Sequence, residues 1–220
     1  MFAPTSHESS VPSAPRAPSI VVLSERQIFR DCVVGFLRHA GFPRTTGARP
    51  SEPGIADAAD LLLVDVGPEE GDVPTLLHHF HERRPDGTVV AIGTPMQLAA
   101  QAAEADGWVE SSDPAERLSE IAKSVARHPG GRLKIPASLE VRRQLRRWRS
   151  LTPRQRQVLA LLGCGTDNGS LAKTLGVSER AVKLHVSALL GRFGVDNRTK
   201  LALVACRAGM SIVNVSETSR

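Results

Sequence analysis

The segment DNGSLAKTLGVSERAVKLHVSALLGRF, residues 167–193, concentrates the side chains whose spacing points to a definite chemistry. A short helix there is stopped by Gly176, Val177 forms an apolar turn, and Ser178 offers a hydroxyl cap to a longer helix with Glu179 in its first turn. This is the spacing of a helix-turn-helix. Within the longer helix Val182, Val186, Leu189 and Phe193 recur at helical spacing and must face a core. The opposite face then presents Arg180, Lys183, Leu184, Ser187 and Gly191. In a DNA major groove Lys183 can donate to guanine O6 or N7, Leu184 can touch a thymine methyl, and Ser187 can serve either base type. Lys173, Arg180, Arg192, Arg198 and Lys200 surround this face, where cations and a helix N-terminus reach phosphates.

The charge distribution agrees. Of the 220 residues, those up to Ala126 hold 10 basic and 18 acidic side chains, net −8, while the remainder hold 18 basic and 5 acidic, net +13. So much positive charge in under a hundred residues is the electrostatic footprint of a polyanion binder. The acidic half could also fold back over the basic one and compete with phosphates.

Other chemistries find little support. Cys32, Cys164 and Cys206 lie far apart without metal-ligand spacing and read as buried small hydrophobes in a reducing compartment. His78, His79 and His81 form an HHFH run on a helix, where neighbours diverge and at most His78 and His81 could share a metal, and they read as a surface patch. There is no phosphate-binding glycine loop and no nucleophile elbow. Neither an enzyme, a cofactor nor a resident metal is expected. No apolar run reaches eighteen residues and the N-terminus lacks a signal-peptide core, so no membrane span and a cytoplasmic location are expected.

The elements that must position these residues fall into two groups. Residues 1–18 are rich in Pro, Ser and Ala and read as a disordered tail. From residue 19 strands and helices alternate: strands at 19–23, 61–66, 88–92 and 107–109, helices at 27–40, 74–84, 96–104 and 114–127, with a second strand and helix between Phe42 and Asp60. Short, wholly apolar runs such as LLLVDV and TVVAI suit a parallel sheet covered on both faces. Residues 19–127 thus form an α/β domain with a five-stranded parallel, flavodoxin-like sheet. Residues 128–149 read as a basic, partly helical linker. Residues 150–210 form an all-α domain with helices at 153–162, 169–175, 179–193 and 199–208, and 211–220 are a tail.

Residues 151–210 resemble, without a gap, the LuxR-type DNA-binding domain of NarL/FixJ response regulators: LTPR, LA–LG–S, AVK-H, LGRFGV and NRT-LA–A–G occur in order. The resemblance implies base reading by Lys183, Leu184 and Ser187. It also implies dimerisation through helix 199–208, whose Leu201, Val204, Ala205 and Ala208 make an apolar surface. Gln155 stands where Glu is usual, Gly169-Ser170 where Lys-Glu is usual, and Ala181 where Thr is common.

The alternating half resembles a receiver domain, in which an acceptor Asp, two acidic metal ligands, a hydroxyl and a Lys meet at the strand ends. Asp65, closing LLLVD, matches the acceptor. The acidic pair has become Ser24-Glu25, the hydroxyl is Thr94 or is lost to Gly93, and Glu110 or Ser111 stands where the Lys should be. Without that Lys, and with Glu110 adding repulsion, Asp65 is a poor phosphoryl acceptor. The expectation is therefore an atypical, phosphorylation-independent receiver joined to a DNA-binding helix-turn-helix. Its partners would be an inverted-repeat duplex and a second copy of the chain, with RNA polymerase and a small-molecule or protein ligand at the strand-end crevice as further candidates. The alternatives are a conventional response regulator phosphorylated at Asp65 and a protein-binding adaptor contacting RNA polymerase.

Overall fold

A computed structural model describes residues 17–52, 54, 56–67 and 71–210. The tails expected at 1–18 and 211–220 lie outside the described residues apart from 17 and 18. Five parallel strands, β1 (Ile20–Leu23), β2 (Thr45–Ala48), β3 (Leu61–Asp65), β4 (Thr88–Gly93) and β5 (Gly107–Glu110), form one sheet in the order β2-β1-β3-β4-β5. The central strands are apolar on both faces because helices cover both: Leu61, Leu62, Leu63 and Val64 are fully buried.

The helices are α1 (Gln27–His39), α2 (Val73–Arg83), α3 (Pro95–Gln101) and α4 (Glu116–Arg127). Among the described residues between β2 and β3 no α-helix forms; that stretch, thick with Pro and Gly, makes a 3-10 turn at Ala56–Ala58. The strand order reverses between β1 and β3, and there the strand ends open a crevice.

The linker is more structured than its composition suggests. Ile135 donates to the Asp106 carbonyl at 2.7 Å and Leu133 to Thr88 Oγ1 at 3.0 Å, so the chain crosses the starts of β4 and β5 as a strap. Gly107 is needed under it, since a Cβ there would sit 2.7 Å from the Ile135 Cβ. The strap is held by Asp106, a fully buried carboxylate contacted by Lys134 Nζ at 2.6 Å, Arg132 Nε at 2.6 Å, the Val89 amide at 2.9 Å and His81 Nε2 at 3.1 Å. His81 is therefore a structural partner and not part of a surface patch.

Past the strap, Ser138 caps α5 (Leu139–Arg149), which buries Val141, Gln144, Leu145 and Trp148. These pack on α3, and the apolar core continues from the sheet half into the helical half without a break. Gln101 Nε2 donates to the Ala208 carbonyl at 2.6 Å and Arg149 to the Ala103 carbonyl at 3.3 Å across the same seam.

The helical half contains α6 (Pro153–Gly163), α7 (Asn168–Leu175), α8 (Glu179–Phe193) and α9 (Arg198–Arg207). Gln155, the departure after LTPR, completes a reciprocal cap: its side-chain oxygen accepts from the Thr152 amide at 3.0 Å while its own amide donates to Thr152 Oγ1 at 3.2 Å. The three cysteines are exposed rather than buried, at the outer face of α1, the end of α6 and the outer face of α9.

Burial alone pushes the Asp106 carboxyl up, but donation from Lys134, Val89, Arg132 and His81 outweighs it and holds the group below the usual carboxylate range. With a folded pKa below the unfolded value of about 3.9, its contribution to stability is present above that pH and is lost as pH falls through the folded pKa. Asp106→Asn should cost about 3 kcal/mol at pH 7 by leaving two cations without a counter-charge. It should also flatten the acid limb of stability against pH, and an acid limb as steep as in the parent chain would contradict this assignment.

Candidate nucleic-acid interface and strand-end site

Asp167 starts α7 by accepting from the Gly169 and Ser170 amides at 2.8 and 3.0 Å, and the Ser170 hydroxyl adds a third bond at 2.7 Å. The amide and hydroxyl of Ser170 hold its carboxyl below the usual range. Gly169-Ser170 thus serves the cap. The helix ends at Gly176 in the left-handed conformation, φ 63°, which a side chain would strain. Ser178 then caps α8 by accepting from the Ala181 amide at 3.2 Å.

The inward face of α8 holds Val182, Leu189 and Phe193, with Val186 half-buried against them. Arg180, Lys183, Leu184 and Ser187 are exposed, Leu184 at 66%. An apolar side chain is held in water there between two cations and a hydroxyl. Neither Arg180, Lys183 nor Ser187 makes a hydrogen bond or ion pair with another described residue, so the face is uncovered. The acidic half does not lie over it, contrary to the fold-back that charge alone suggests; the halves join through α3, α5 and the end of α9.

The surrounding cations divide. Lys173 is exposed and unpaired among the described residues, like Arg180. Arg192, expected on a phosphate, instead donates to the carbonyl and Oγ of Ser150 at the end of α5. Arg198 donates to the Thr166 carbonyl and to Asn168 Oδ1, the latter at 2.9 Å, tying α9 to the start of α7. Lys200 pairs with Asp196 at 2.7 Å. Arg192 and Arg198 thus hold carbonyls of their own chain while Lys200 makes an exposed local pair, and sequence spacing could not separate them from free cations.

The surface expected for dimerisation is also corrected. Leu201, Val204, Ala205 and Ala208 are buried within the chain, packed toward α6, where Ala205 Cβ comes within 2.9 Å of the position a Cβ on Gly163 would take. The outward face of α9 carries Leu203, 49% exposed, with Ala202 and Cys206 beside it.

At the strand ends the parallel register pairs Leu23 with Val64, which sets Ser24 beside Asp65. Asp65 is 2% exposed, and Ser24 Oγ donates to its Oδ2 at 2.7 Å. Arg26, absent from the sequence-based set, grips the same carboxylate from above: Nε reaches Oδ2 at 2.9 Å, and Nη2 reaches Oδ1 at 2.8 Å and Oδ2 at 2.7 Å. Its guanidinium also lies 4.8 Å over the Phe29 ring. The signal was a cation directly after Ser24-Glu25 at the end of β1.

The other expected members are elsewhere. Thr94 caps α3, its hydroxyl bonded to Gln97 Oε1 at 2.8 Å. Glu110 accepts from Ser138 Oγ at the start of α5. Ser111 is exposed and bonds through its backbone to Gly93 at 3.0 Å. Glu25 is half-buried beside the pair. A receiver would hold a divalent cation here, but these residues do not fit one: the Arg26 guanidinium spans both Asp65 oxygens where the ion would bind.

Residues 149–205 match the family model of bacterial regulatory proteins of the luxR family. The chain is 40% identical over 62 residues to the transcriptional regulatory protein LnrK of Bacillus subtilis, covering 28% of each chain. It is 26% identical over 167 residues to the uncharacterized transcriptional regulatory protein YhcZ of the same organism, covering 69% of this chain and 76% of that one. The chain spans less than a third of the length of LnrK. In fold it is similar to RcsB of Salmonella enterica serovar Typhimurium in a promoter-bound structure, with TM-score 0.52, 17% identity, and coverage of 86% of this chain and 98% of that one.

The outward face of α8 separates two classes of variant. Lys183→Ala should cost about 1–3 kcal/mol on a specific duplex and relax base preference, whereas Lys173→Ala should weaken specific and scrambled duplexes alike. Binding titrations on both duplexes check this, and equal losses for Lys183→Ala would remove it from base reading.

Proposed function

We propose that this chain is a DNA-binding transcriptional regulator that reads an inverted-repeat site as a homodimer and works without phosphorylation of Asp65. The observation that carries the reading is the pairing of Arg26 and Ser24 with Asp65 in a chain whose α8 reading face stands uncovered. An acceptor carboxylate must present a lone pair to phosphorus while its charge and the phosphoryl charge are neutralised by a metal ion and a lysine. Here both oxygens are engaged by a bidentate, charge-assisted pair and a hydroxyl. Attack on a phosphodonor would first require breaking those bonds.

Lys183, Leu184 and Ser187 read base edges, while Lys173 and Arg180 hold phosphates. Two copies meet through the outward face of α9, Leu203 with Ala202 and Cys206, because a small helix-turn-helix gains affinity by placing two reading helices one turn apart.

Selection of bound genomic fragments with the purified chain, without phosphodonor, identifies the operator and tests the DNA reading. Operator affinity should then be the same within about twofold with or without acetyl phosphate and Mg²⁺, and unchanged in Asp65→Asn, with no mass gain of a phosphoryl group. A severalfold gain that requires Asp65 would establish a conventional response regulator instead. Leu203→Glu should reduce the operator footprint to one half-site and lose the two-site advantage, on the order of 10²-fold. A full footprint in that variant would place the dimer contact elsewhere.

A further inference from the structure

The outer face of α5 is unexplained by its role as a joint. Its buried stripe is Val141, Gln144, Leu145 and Trp148, and everything else on the helix but Leu139 and Glu140 is arginine: Arg142, Arg143, Arg146, Arg147 and Arg149. Four of the five are exposed and Arg147 is half-buried. Glu140 pairs with Arg143 at 3.1 Å, and Arg149 bonds to the Ala103 carbonyl. Arg142 and Arg146, one turn apart, have no hydrogen-bond or ion-pair partner among the described residues. Like charges at that spacing destabilise a helix, so the array works against the fold it belongs to. A solubilising surface would mix signs.

The position of the helix supplies the reason. Its C-terminus is fixed to the C-terminal end of α8: the Trp148 and Phe193 rings meet edge-on at 5.5 Å, and Arg192 clasps Ser150. The eleven residues of α5 extend about 16 Å from that joint. Duplex DNA seated on α8 continues past the reading helix as a rod of phosphates, and guanidinium groups are matched to phosphate in charge and in bidentate geometry.

We propose that α5 is a second DNA-binding element, in which Arg142 and Arg146 hold backbone phosphates flanking the bases read by α8. It rests on the DNA-reading function above and adds affinity without base preference. The charge cost within the helix is offset only when the duplex is bound, and the helix then couples the sheet half directly to DNA.

The test is the full-length chain with Arg142→Gln and Arg146→Gln together, both exposed positions, with circular dichroism melting to establish that the variant folds as the parent does. Affinity is measured on the selected operator and on a scrambled duplex from 50 to 300 mM salt. Each phosphate contact contributes about 0.9 to the slope of log affinity against log salt, so the slope should fall by about 2 on both duplexes. Affinity should drop about tenfold near 0.1 M salt on each, with the ratio between them unchanged. An operator trimmed to the bases under α8 should show no difference between variant and parent. An unchanged slope and affinity on long duplexes would overturn the proposal while leaving DNA reading by α8 intact. A loss confined to the operator would also overturn it, because it would make these arginines base readers. A parent chain that binds no duplex fails the function itself, and the proposal with it.

Discussion

The edge-on contact of Trp148 with Phe193, and the apolar stripe of α5 behind it, set the relation between the two halves of the chain. Val141 and Leu145 belong to the same core as Leu98 and Ala99 of α3, while Trp148 belongs equally to the core of the helical half. One helix therefore seals two cores. Because it takes up the seam together with Gln101 and the end of α9, α8 is left on a free side of the molecule. The connecting segment, with its single strap over Asp106, determines which surface the helical half shows.

Much of the fold was legible because it rests on local patterns. LLLVD and TVVAI are too short and too apolar for anything but doubly covered strands, and Gly176 with Ser178 marks the turn before α8. The outward set on α8 followed from four inward residues by geometry alone. What the sequence could not show depended on partners distant along the chain. The apolar stripe of α9 was correctly seen, but periodicity does not say whether such a stripe faces its own core or a second molecule; burial against α6 decides it. Arg192 and Arg198 find carbonyls 42 and 32 residues away, and Glu110 finds a serine 28 residues on. Arg26 was missed because its meaning lies in the register of β1 with β3, which brings it over Asp65 across 39 residues.

The same pair changes how charge is handled in the sheet half. A carboxylate buried at the carboxyl ends of parallel strands is costly without a counter-charge. In a phosphorylated receiver that charge would come from a soluble ion, whose exchange leaves the site responsive. Here it is part of the chain and is anchored by Phe29 as well as by Asp65.

The strap and α5 together have a mechanical consequence. Two compact units on a loose tether melt separately and are parted by a brief exposure to protease. In this chain the tether is bonded to the starts of β4 and β5, and its helix is inseparable from both cores. Neither core can be exposed without opening the other, so heat should dissolve them in a single transition, and cleavage near residue 140 should follow global opening instead of preceding it. The connecting segment makes two units of different architecture behave as one cooperative body.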